Sequence, residues 1–474
     1  NIGELMIILG TNSIKASGFD VDYSCRFDNA YSGTGASDYL TRTYSAGNRR
    51  TFTISFWIKR SGLFVSQWQQ VLGQYDVGAD QLFRVGYNSG EQGDIIRCYG
   101  APGGFEFRTT ALYRDVSAWY HVVLAIDTTQ GTEANRAKLY VNGTQVTSFV
   151  TANYPSQNTE LHYNEGKAHS IGRAGGGNQG LPAYLAQLIS IDGTAYAASD
   201  FGEFDSDSPT IWKPKDVSGL TFGSQGFYLD FADSGDLGDD ESGNGNDWTE
   251  TGIAAINQVT DSPTNNFPTL NPLFPEANVA YSQGNTVATA DGSANWSSVI
   301  PTVGLANGKW YWEWTATSTS NVFTGIVSEV LVNSGVLISD ATPYDATGLI
   351  LYFAAGRKTV DGSDTESHFT AYGSGTMSAA LDLDSGTRTI TFYHNGSATG
   401  DVVNLTANFA AGDLVFPVFM VNAGSNTSII NPNFGNPSYA NSSDAADANG
   451  YGAFEYAPPS GYFAICTKNL AEYG

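Results

Sequence analysis

The sequence predicts an all-β protein built from two β-sandwiches in tandem. Segments of alternating apolar and polar residues recur in both halves, and each half has a strand that ends in Asn-Gly, at Asn142–Gly143 and Asn395–Gly396. Asn-Gly tolerates the positive φ angles of a type I′ turn, so after an alternating segment it indicates a β-hairpin. Glycine (54 residues) and aromatic residues (13%) are abundant and charged residues make up only 15%, a composition typical of short strands and turns.

Two segments of the first half, residues 51–60 and 119–127, alternate with the period of two that a half-buried strand requires. Further strands are expected at 137–143, 169–173, 183–193 and 226–233. The one helical turn expected lies at 196–201. The apolar residues predicted to face the core from the two alternating segments are Phe52, Ile54, Phe56, Ile58, Tyr120, Val122, Leu124 and Ile126.

Proline and polar residues separate the two halves. Residues 233–247 are rich in Asp, Gly and Asn, and four prolines follow between Pro263 and Pro275. Because proline disfavours helices and central strands, we expect a linker at 261–277, with one domain at 1–260 and a second at 278–474. Alternation resumes in the second half at 308–317. There, three residues share a face and are expected to lie in the core: Trp310, Trp312 and Trp314.

Charge and cysteine content exclude several function classes. The net charge of −25 argues against nucleic acid and anionic membranes as partners, because both are recognised by clustered Lys and Arg. The three cysteines are few, odd in number and widely spaced, so we expect neither a disulfide framework nor a zinc site, and folding in a reducing cytoplasm. The apolar stretch Leu5–Gly10 is shorter than the ~20 residues of a membrane span, so no membrane insertion is expected.

A catalytic role has weak support in the residues. In a strand, Glu203, Asp205 and Asp207 would project to one face, and paired carboxylates are what glycosidases use. The alternative is a solvated acidic loop, which Pro209 and the preceding helical turn favour. Residues 175–180 match a G-x-G-x-x-G pattern but precede a strand, whereas a dinucleotide site needs a helix there. The protein is therefore expected not to be an enzyme.

Two sets of residues are candidate binding sites. The first is an aromatic face on alternate strand positions, on which sugars could stack; the alternative is packing in a second apolar layer. The second is a set of carboxylate and amide oxygens that could bind Ca²⁺ in a flexible Gly-rich loop; the alternative is an ion-free turn. The aromatic face consists of Trp57, Trp119, His121 and Tyr140, and the calcium candidates are Asp239, Asp240, Asn244, Asn246 and Asp247.

Both halves resemble known domain families. Segments at 52–60, 119–129, 139–146, 169–173 and 184–204 resemble a LamG-type, concanavalin A-like jelly roll. Residues 229–249 resemble the segment that usually opens such a domain, which implies a circularly permuted sandwich, and related domains often bind calcium near it. Segments at 308–314, 381–396, 416–419 and 433–435 resemble a SPRY domain. The resemblance implies two concanavalin A-like sandwiches joined by the Pro-rich linker.

The pairing of these two domains after residues 11–28 resembles structural proteins of marine tailed bacteriophages. The resemblance implies a non-enzymatic virion protein, a fibre or capsid decoration subunit that assembles in the host cytoplasm and is exposed on the particle exterior. Its expected partners are host-surface glycans or neighbouring virion proteins, and homo-oligomers are expected. The alternatives are an architectural protein that cements capsid or tail without a glycan ligand and, less favoured, a glycan depolymerase.

Overall fold

The computed structural model describes residues 18–29, 36–63, 68–74, 83–86, 93–174, 179–274, 279–290, 296–317, 322–335, 337, 346–353, 356–365, 373–400, 402–422 and 428–474. Contacts divide the chain into two compact units, one made of Ala16–Asn265 and the other containing Asn266–Gly474. Strands dominate both units, which confirms the predicted all-β fold class.

The described part of the first unit consists of short strands with three single turns of 3-10 helix. One of these turns, Ala198–Asp200, occupies the helical turn predicted at 196–201. In the described residues, its strands are β1 Ser24–Asp28, β2 Tyr39–Thr43, β3 Thr51–Arg60, β4 Trp68–Gln74, β5 Phe83–Gly86, β6 Ile95–Gly100, β7 Phe105–Thr109, β8 Tyr120–Asp127, β9 Ala137–Val141, β10 Thr144–Gln145, β11 Phe149–Asn153, β12 Ala168–Ile171, β13 Pro182–Asp192, β14 Gly202–Phe204, β15 Trp212–Pro214, β16 Phe227–Leu229, β17 Thr249–Thr251 and β18 Gln258–Val259.

These strands form two large sheets. The first sheet has the order β10-β9-β8-β3-β13-β1-β18, with β16 also paired to β13. The second sheet has the order β11-β7-β6-β5-β4-β12-β2-β17, and β14 pairs with β15 in a separate hairpin. The acidic stretch 233–247 therefore connects β16 of the first sheet to β17 of the second.

One apolar core receives side chains from both sheets. Phe56 of β3 and Phe83 of β5 meet edge to face, with 5.0 Å between their ring centroids. All eight side chains predicted to face the core from residues 51–60 and 119–127 either belong to it or, for Tyr120, pack against it. Burial of each such apolar side chain stabilises the folded state by roughly 1.5–3 kcal/mol.

A bulge in β13 adjusts which residues face this core. Gln187 has a φ of 42°, and the pairing with β3 shifts between Ala186 and Ile189. The extra residue in the bulge lets both Leu185 and Leu188 enter the core. Ile189 then faces the opposite side of the sheet.

The two Asn-Gly hairpins form as predicted. Asn142 and Gly143 have φ angles of 46° and 74°, and Asn395 and Gly396 have 47° and 74°. Two consecutive positive φ angles are the signature of a type I′ turn. The first turn joins β9 to β10.

The boundary between the units falls between Asn265 and Asn266, inside the predicted linker at 261–277. Asp261 is fully buried in the first unit, and Leu270 is fully buried in the core of the second. These parts of the Pro-rich segment are therefore packed rather than open. The limits 1–260 and 278–474 stay predictions.

In the described residues, the second unit has two further sheets and two short helices with defined bounds. Its helices are α1 Glu329–Ser334 and α2 Thr467–Tyr473. In the described residues, its strands are β19 Val279–Ser282, β20 Val287–Ala290, β21 Trp296–Val299, β22 Lys309–Ala316, β23 Val322–Ser328, β24 Leu349–Phe353, β25 Lys358–Val360, β26 Ser363–Thr365, β27 Met377–Asp382, β28 Thr389–His394, β29 Ser397–Ala398, β30 Val403–Asn404, β31 Val415–Asn422, β32 Ile429–Asn433 and β33 Phe463–Ala464.

The larger sheet of this unit has the order β19-β20-β32-β22-β27-β28-β29, and the smaller one β21-β31-β23-β24-β25-β26. Trp310, Trp312 and Trp314 of β22 are at most 1% exposed, which confirms that they belong to the core. The smaller sheet is buried on both faces, because Ile326 lies in that core while its neighbour Val327 packs in a second cluster that includes Leu331 of α1.

Candidate functional site

Three of the four side chains predicted to form an aromatic binding face are covered by other parts of the protein. All four lie on the outer face of the first sheet, the face turned away from the core. Trp57, Trp119 and His121 are only 3%, 9% and 1% exposed, and Trp212 of β15 packs over this region. Sugar stacking needs an open ring face, so these three side chains serve packing, the alternative that the sequence left open. Tyr140 remains partly exposed.

His121 is held as a neutral ring. Trp212 Nε1 donates a hydrogen bond to His121 Nδ1 over 3.0 Å, and an indole nitrogen can only donate, so Nδ1 carries no proton. Nε2 therefore carries the proton and donates to Ser55 Oγ, 2.9 Å away. Burial lowers the pKa of His121 to about 3. His121 is thus in the wrong protonation state to accept a proton from Ser55, and the pair is not arranged as a nucleophile and its base.

Tyr140 lines an open cleft beside this covered region. The cleft has a volume of ≈ 320 Å³, which lies within the range of small-ligand sites. It combines two tyrosines with charged and amide side chains. Its lining residues are Ala125, Asp127, Gln130, Asn135, Lys138, Tyr140, Ala195, Tyr196 and Ala197. We call this feature the Tyr140 cleft.

One wall of the Tyr140 cleft is anchored to β3. Thr53 Oγ1 donates to the carbonyl of Thr194 and accepts from the backbone N–H of Tyr196, both at 2.8 Å. Tyr196 also packs against Phe201, with ring centroids 6.2 Å apart. A single buried hydroxyl therefore fixes the loop that carries Tyr196 onto the outer face of the sheet.

Asp127 supplies a fixed negative charge at the end of β8. Burial raises the pKa of Asp127, but hydrogen bonds from Thr129 and Gln130 outweigh burial, and the net effect lowers that pKa. Thr129 Oγ1 donates to its Oδ1 over 2.6 Å, and Gln130 Nε2 donates to its Oδ2 over 2.5 Å. The cleft thus presents an ionised carboxylate, the Lys138 ammonium, two amides and two partly exposed phenol rings.

The sequence identified one residue of this cleft as a binding residue and missed the others. Alternation placed Asp127 on the same face as His121, and Lys138 is two positions before Tyr140 in the same strand. The outer face was thus predictable as a surface. Which part of it stays open could not be predicted, because the segment that covers the rest is an irregular loop with the β14–β15 hairpin.

The predicted calcium ligands are engaged by donors of the protein. Asp240 Oδ1 accepts from Tyr228 N at 2.8 Å, and Asp240 Oδ2 accepts from Asn246 N at 2.8 Å. Asp247 Oδ1 accepts from Asp240 N over 3.2 Å. The Asn244 side-chain amide donates to the carbonyls of Gly223 and Gly226, that of Asn246 donates to Gly226, and Arg42 donates to Asn246 Oδ1. Donors of the protein therefore already engage these oxygens.

Asp239 differs from its neighbours because its carboxylate faces other acids. Burial makes the largest contribution to a raised pKa of Asp239, and the charges of Asp247, Asp236 and Asp233 raise that pKa further. Among the residues that the structure describes, no group of three or more His, Cys, Asp or Glu is arranged to hold a metal ion. The loop is therefore explained by hydrogen bonding, and calcium binding stays a prediction.

The acidic string Glu203, Asp205 and Asp207 forms a turn. β14 ends at Phe204, and Asp205 Oδ1 accepts from the backbone N–H of Asp207 and Ser208 at 3.0 and 2.9 Å. Lys213 Nζ donates to Asp205 Oδ2 over 3.2 Å. Hydrogen bonds from Ser208 and Lys213 lower the pKa of Asp205. This geometry favours the acidic-loop alternative. The G-x-G-x-x-G match lies largely outside the described residues.

Comparison with known proteins identifies part of the first unit. The sequence profile of the concanavalin A-like lectin/glucanases superfamily matches residues 34–191. The first unit contains a concanavalin A-like domain. Because that superfamily holds both lectins and glucanases, the match does not decide between binding and catalysis. No curated protein matches the chain.

Several solved structures share limited likeness with the chain. Stonustoxin is similar over 35% of this chain and 27% of its own, with 19% identity and a TM-score of 0.27. The TRIM65 PSpry domain is similar over 34% of this chain and 90% of its own, with 17% identity and a TM-score of 0.27. A heptameric SAP-like pentraxin from Limulus polyphemus is similar over 38% of this chain and 80% of its own chain, with 18% identity and a TM-score of 0.27. At this level the likenesses say nothing about function.

In the part of the chain that the structure describes, no helix is long and apolar enough to cross a bilayer.

Proposed function

We propose that this protein is a non-enzymatic glycan-binding protein and that the Tyr140 cleft is its sugar site. The observation that carries the proposal is the pairing of Tyr140 and Tyr196 with Asp127, Lys138 and two amides around one open cleft. Pyranose rings present apolar C–H faces and a rim of hydroxyls. Aromatic faces and a few fixed donors and acceptors are therefore the groups that bind them.

Donors and acceptors in the cleft complement each other. Asp127 accepts hydrogen bonds, the Lys138 ammonium donates them, and the Gln130 and Asn135 side chains can do both. Lys138 and Tyr140 project from β9, a strand paired to β8 along its whole length, so their spacing is set by the sheet. Groups held on a rigid sheet lose little entropy on binding, which favours a preformed site.

The binding role is favoured over catalysis by the state of the reactive groups. His121 is buried and neutral, and the Asp205 carboxylate closes a turn. Among the described residues that line the Tyr140 cleft, one side chain is acidic, Asp127, whereas retaining and inverting glycosidases each use a pair. A concanavalin A-like domain with this arrangement is suited to binding glycans and not to cleaving them.

In the same proposal, the protein is a fibre or decoration subunit on the exterior of a tailed-phage particle and assembles as a homo-oligomer with other virion proteins as partners. The sequence resemblance at residues 11–28 and across both halves supports this placement. Repeated copies would raise weak glycan affinity by avidity.

A glycan array probed with the full-length protein tests the proposal. We expect a defined group of glycans to bind, and Tyr140→Ala to lose those signals while Tyr39→Ala keeps them. Tyr39 lies on β2 of the second sheet, on the far side of the core, and is also partly exposed. An array without any signal for folded protein would favour the architectural alternative, as would a particle map in which neighbouring subunits cover the cleft.

A further inference from the structure

Three arginines lie directly opposite one another on adjacent strands of the second sheet. Arg84 of β5 pairs in register with Arg97 of β6, and Arg97 pairs with Arg108 of β7. Five of the residues next to them in these strands face the core: Phe83, Val85, Ile96, Cys98 and Phe107. The three guanidinium groups therefore share the opposite face, and we call them the arginine row.

Like charges directly opposite each other destabilise a sheet, so the arginine row costs stability unless an anion compensates it. Glu106 supplies one carboxylate, whose Oε1 accepts from Arg97 at 2.6 Å and from Arg108 at 2.8 Å. The chain as a whole has 47 acidic and only 22 basic residues. The three adjacent arginines thus form a cluster of positive charge in a protein that is strongly negative overall.

Arg84 is the least compensated member of the row. It is 7% exposed, and its Nε donates to Gln70 Oε1 over 3.1 Å. Among the described residues, no carboxylate forms an ion pair with it. Burial, together with the positive charge of Arg97, lowers the pKa of Arg84 to about 9. A buried cation next to a second cation is an arrangement that a bound anion would relieve.

Aromatic rings flank the middle of the row. The Arg97 guanidinium lies 5.4 Å from the ring centroid of Trp68 and 5.0 Å from that of Tyr99. The side chains of Arg97 and Arg108 are 15% and 22% exposed, so both remain in contact with solvent. Neighbouring strands lie about 4.8 Å apart, so the row spans roughly 10 Å, longer than one small anion.

We propose that the arginine row binds an acidic polysaccharide that runs across strands β5 to β7, with its carboxylate or sulfate groups on the guanidinium groups. Arginine forms paired, charge-assisted hydrogen bonds with both kinds of oxyanion. The span of the row favours successive charged sugars over a single ion. This site lies on the second sheet and does not depend on the Tyr140 cleft.

Calorimetry with the full-length protein tests the proposal. The probes are a uronate oligosaccharide, a sulfated oligosaccharide and a neutral oligosaccharide of equal length. We expect at least one charged probe to bind, the neutral probe not to bind at this site, and affinity to fall between about 50 and about 500 mM salt because the contacts are ionic. Comparison of the uronate probe with the sulfated probe shows whether the site prefers carboxylate or sulfate groups.

Matched variants locate the binding. Arg97→Gln is expected to lower the affinity for the charged probe about tenfold or more. Arg50→Gln removes one positive charge from an exposed ion pair with Glu160 and is expected to change little. Glu106→Gln removes the competing carboxylate and is expected to tighten binding, an effect that poor folding would not produce.

Three outcomes would overturn the proposal. One is that folded wild-type protein binds neither charged probe. Another is that Arg97→Gln and Arg50→Gln weaken binding equally. The third is that single-stranded DNA of matched charge binds more tightly than either acidic glycan. Loss of Tyr140 has no expected effect on the charged probe, so this test and that of the Tyr140 cleft fail separately.

Discussion

The ammonium of Lys59 lies 2.6 Å from the carboxylate of Asp261, a residue 202 positions later in the chain, and both side chains are at most 1% exposed. The second oxygen of Asp261 accepts a hydrogen bond from Trp119 Nε1 over 3.1 Å. The pair thus fixes the end of the first unit to the outer face of its first sheet. It explains how the predicted linker begins with a buried residue.

Asp261→Asn should destabilise the first unit strongly. The change removes the Asp261 charge from the buried Lys59 ammonium, and breaking a buried ion pair typically costs about 3–5 kcal/mol. Urea unfolding measures the loss. Glu160→Gln, which breaks the exposed pair with Arg50, should cost at most about 1 kcal/mol and serves as the control. Equal losses for the two variants would contradict this role of the buried pair.

Gly143→Ala should destabilise the first hairpin. Gly143 has a φ of 74°, and a Cβ at this position would collide with the indole ring of Trp212. A positive φ on a residue with a side chain costs of order 1–3 kcal/mol before the collision is counted. Gly131→Ala is the matched control, because its φ lies outside the left-handed region and a Cβ there would have no described atom within 4 Å. Thermal unfolding gives the melting temperature of both variants. If Gly131→Ala lowered it as much as Gly143→Ala, the positive φ and the collision with Trp212 would not explain the loss.

His121→Gln should make the protein less sensitive to acid. The folded-state pKa of His121 is about 3, below the unfolded value of about 6.5. The folded state therefore binds fewer protons, and stability is lost as the pH falls from about 6.5 towards about 3. The unfolding free energy of the wild type should fall more steeply in that window than that of the variant. Parallel pH curves would contradict the burial of a neutral imidazole.

Asp240→Asn should lower the melting temperature equally in calcium and in chelator. Its carboxylate accepts hydrogen bonds from the backbone of Tyr228, Ser242 and Asn246, and an amide cannot accept them all. Asp239→Asn is the control, because burial and then the neighbouring acids raise the pKa of Asp239, and removing its charge relieves repulsion. If calcium raised the wild-type melting temperature and Asp240→Asn abolished that rise, the loop would hold an ion after all.

Alternation predicted much of the fold because its physical cause is local. The side chains of Phe52, Ile54 and Phe56 face the core because successive strand residues point to opposite faces. The turn at Asn142–Gly143 was likewise predictable, because few residue pairs tolerate its φ angles. These features depend on a few consecutive residues.

The parts that could not be predicted depend on contacts between distant residues. Trp57 and Tyr140 share one face of the first sheet, but Trp212, far along the chain, packs with the cluster around Trp57. The arginine row depends on the pairing register of three strands, which alternation within one strand does not specify. The helix α1 was missed because it is short and its apolar residues match no long periodic pattern.

Titration calorimetry with the glycan that binds best on the array measures whether the Tyr140 cleft holds the sugar. We expect that the wild type binds it, that Tyr140→Ala weakens binding about tenfold, the equivalent of about 1.4 kcal/mol, and that Tyr39→Ala leaves the affinity unchanged. Far-ultraviolet circular dichroism verifies that all three proteins are folded. Equal affinity of the wild type and a folded Tyr140→Ala variant would contradict a sugar site in the Tyr140 cleft.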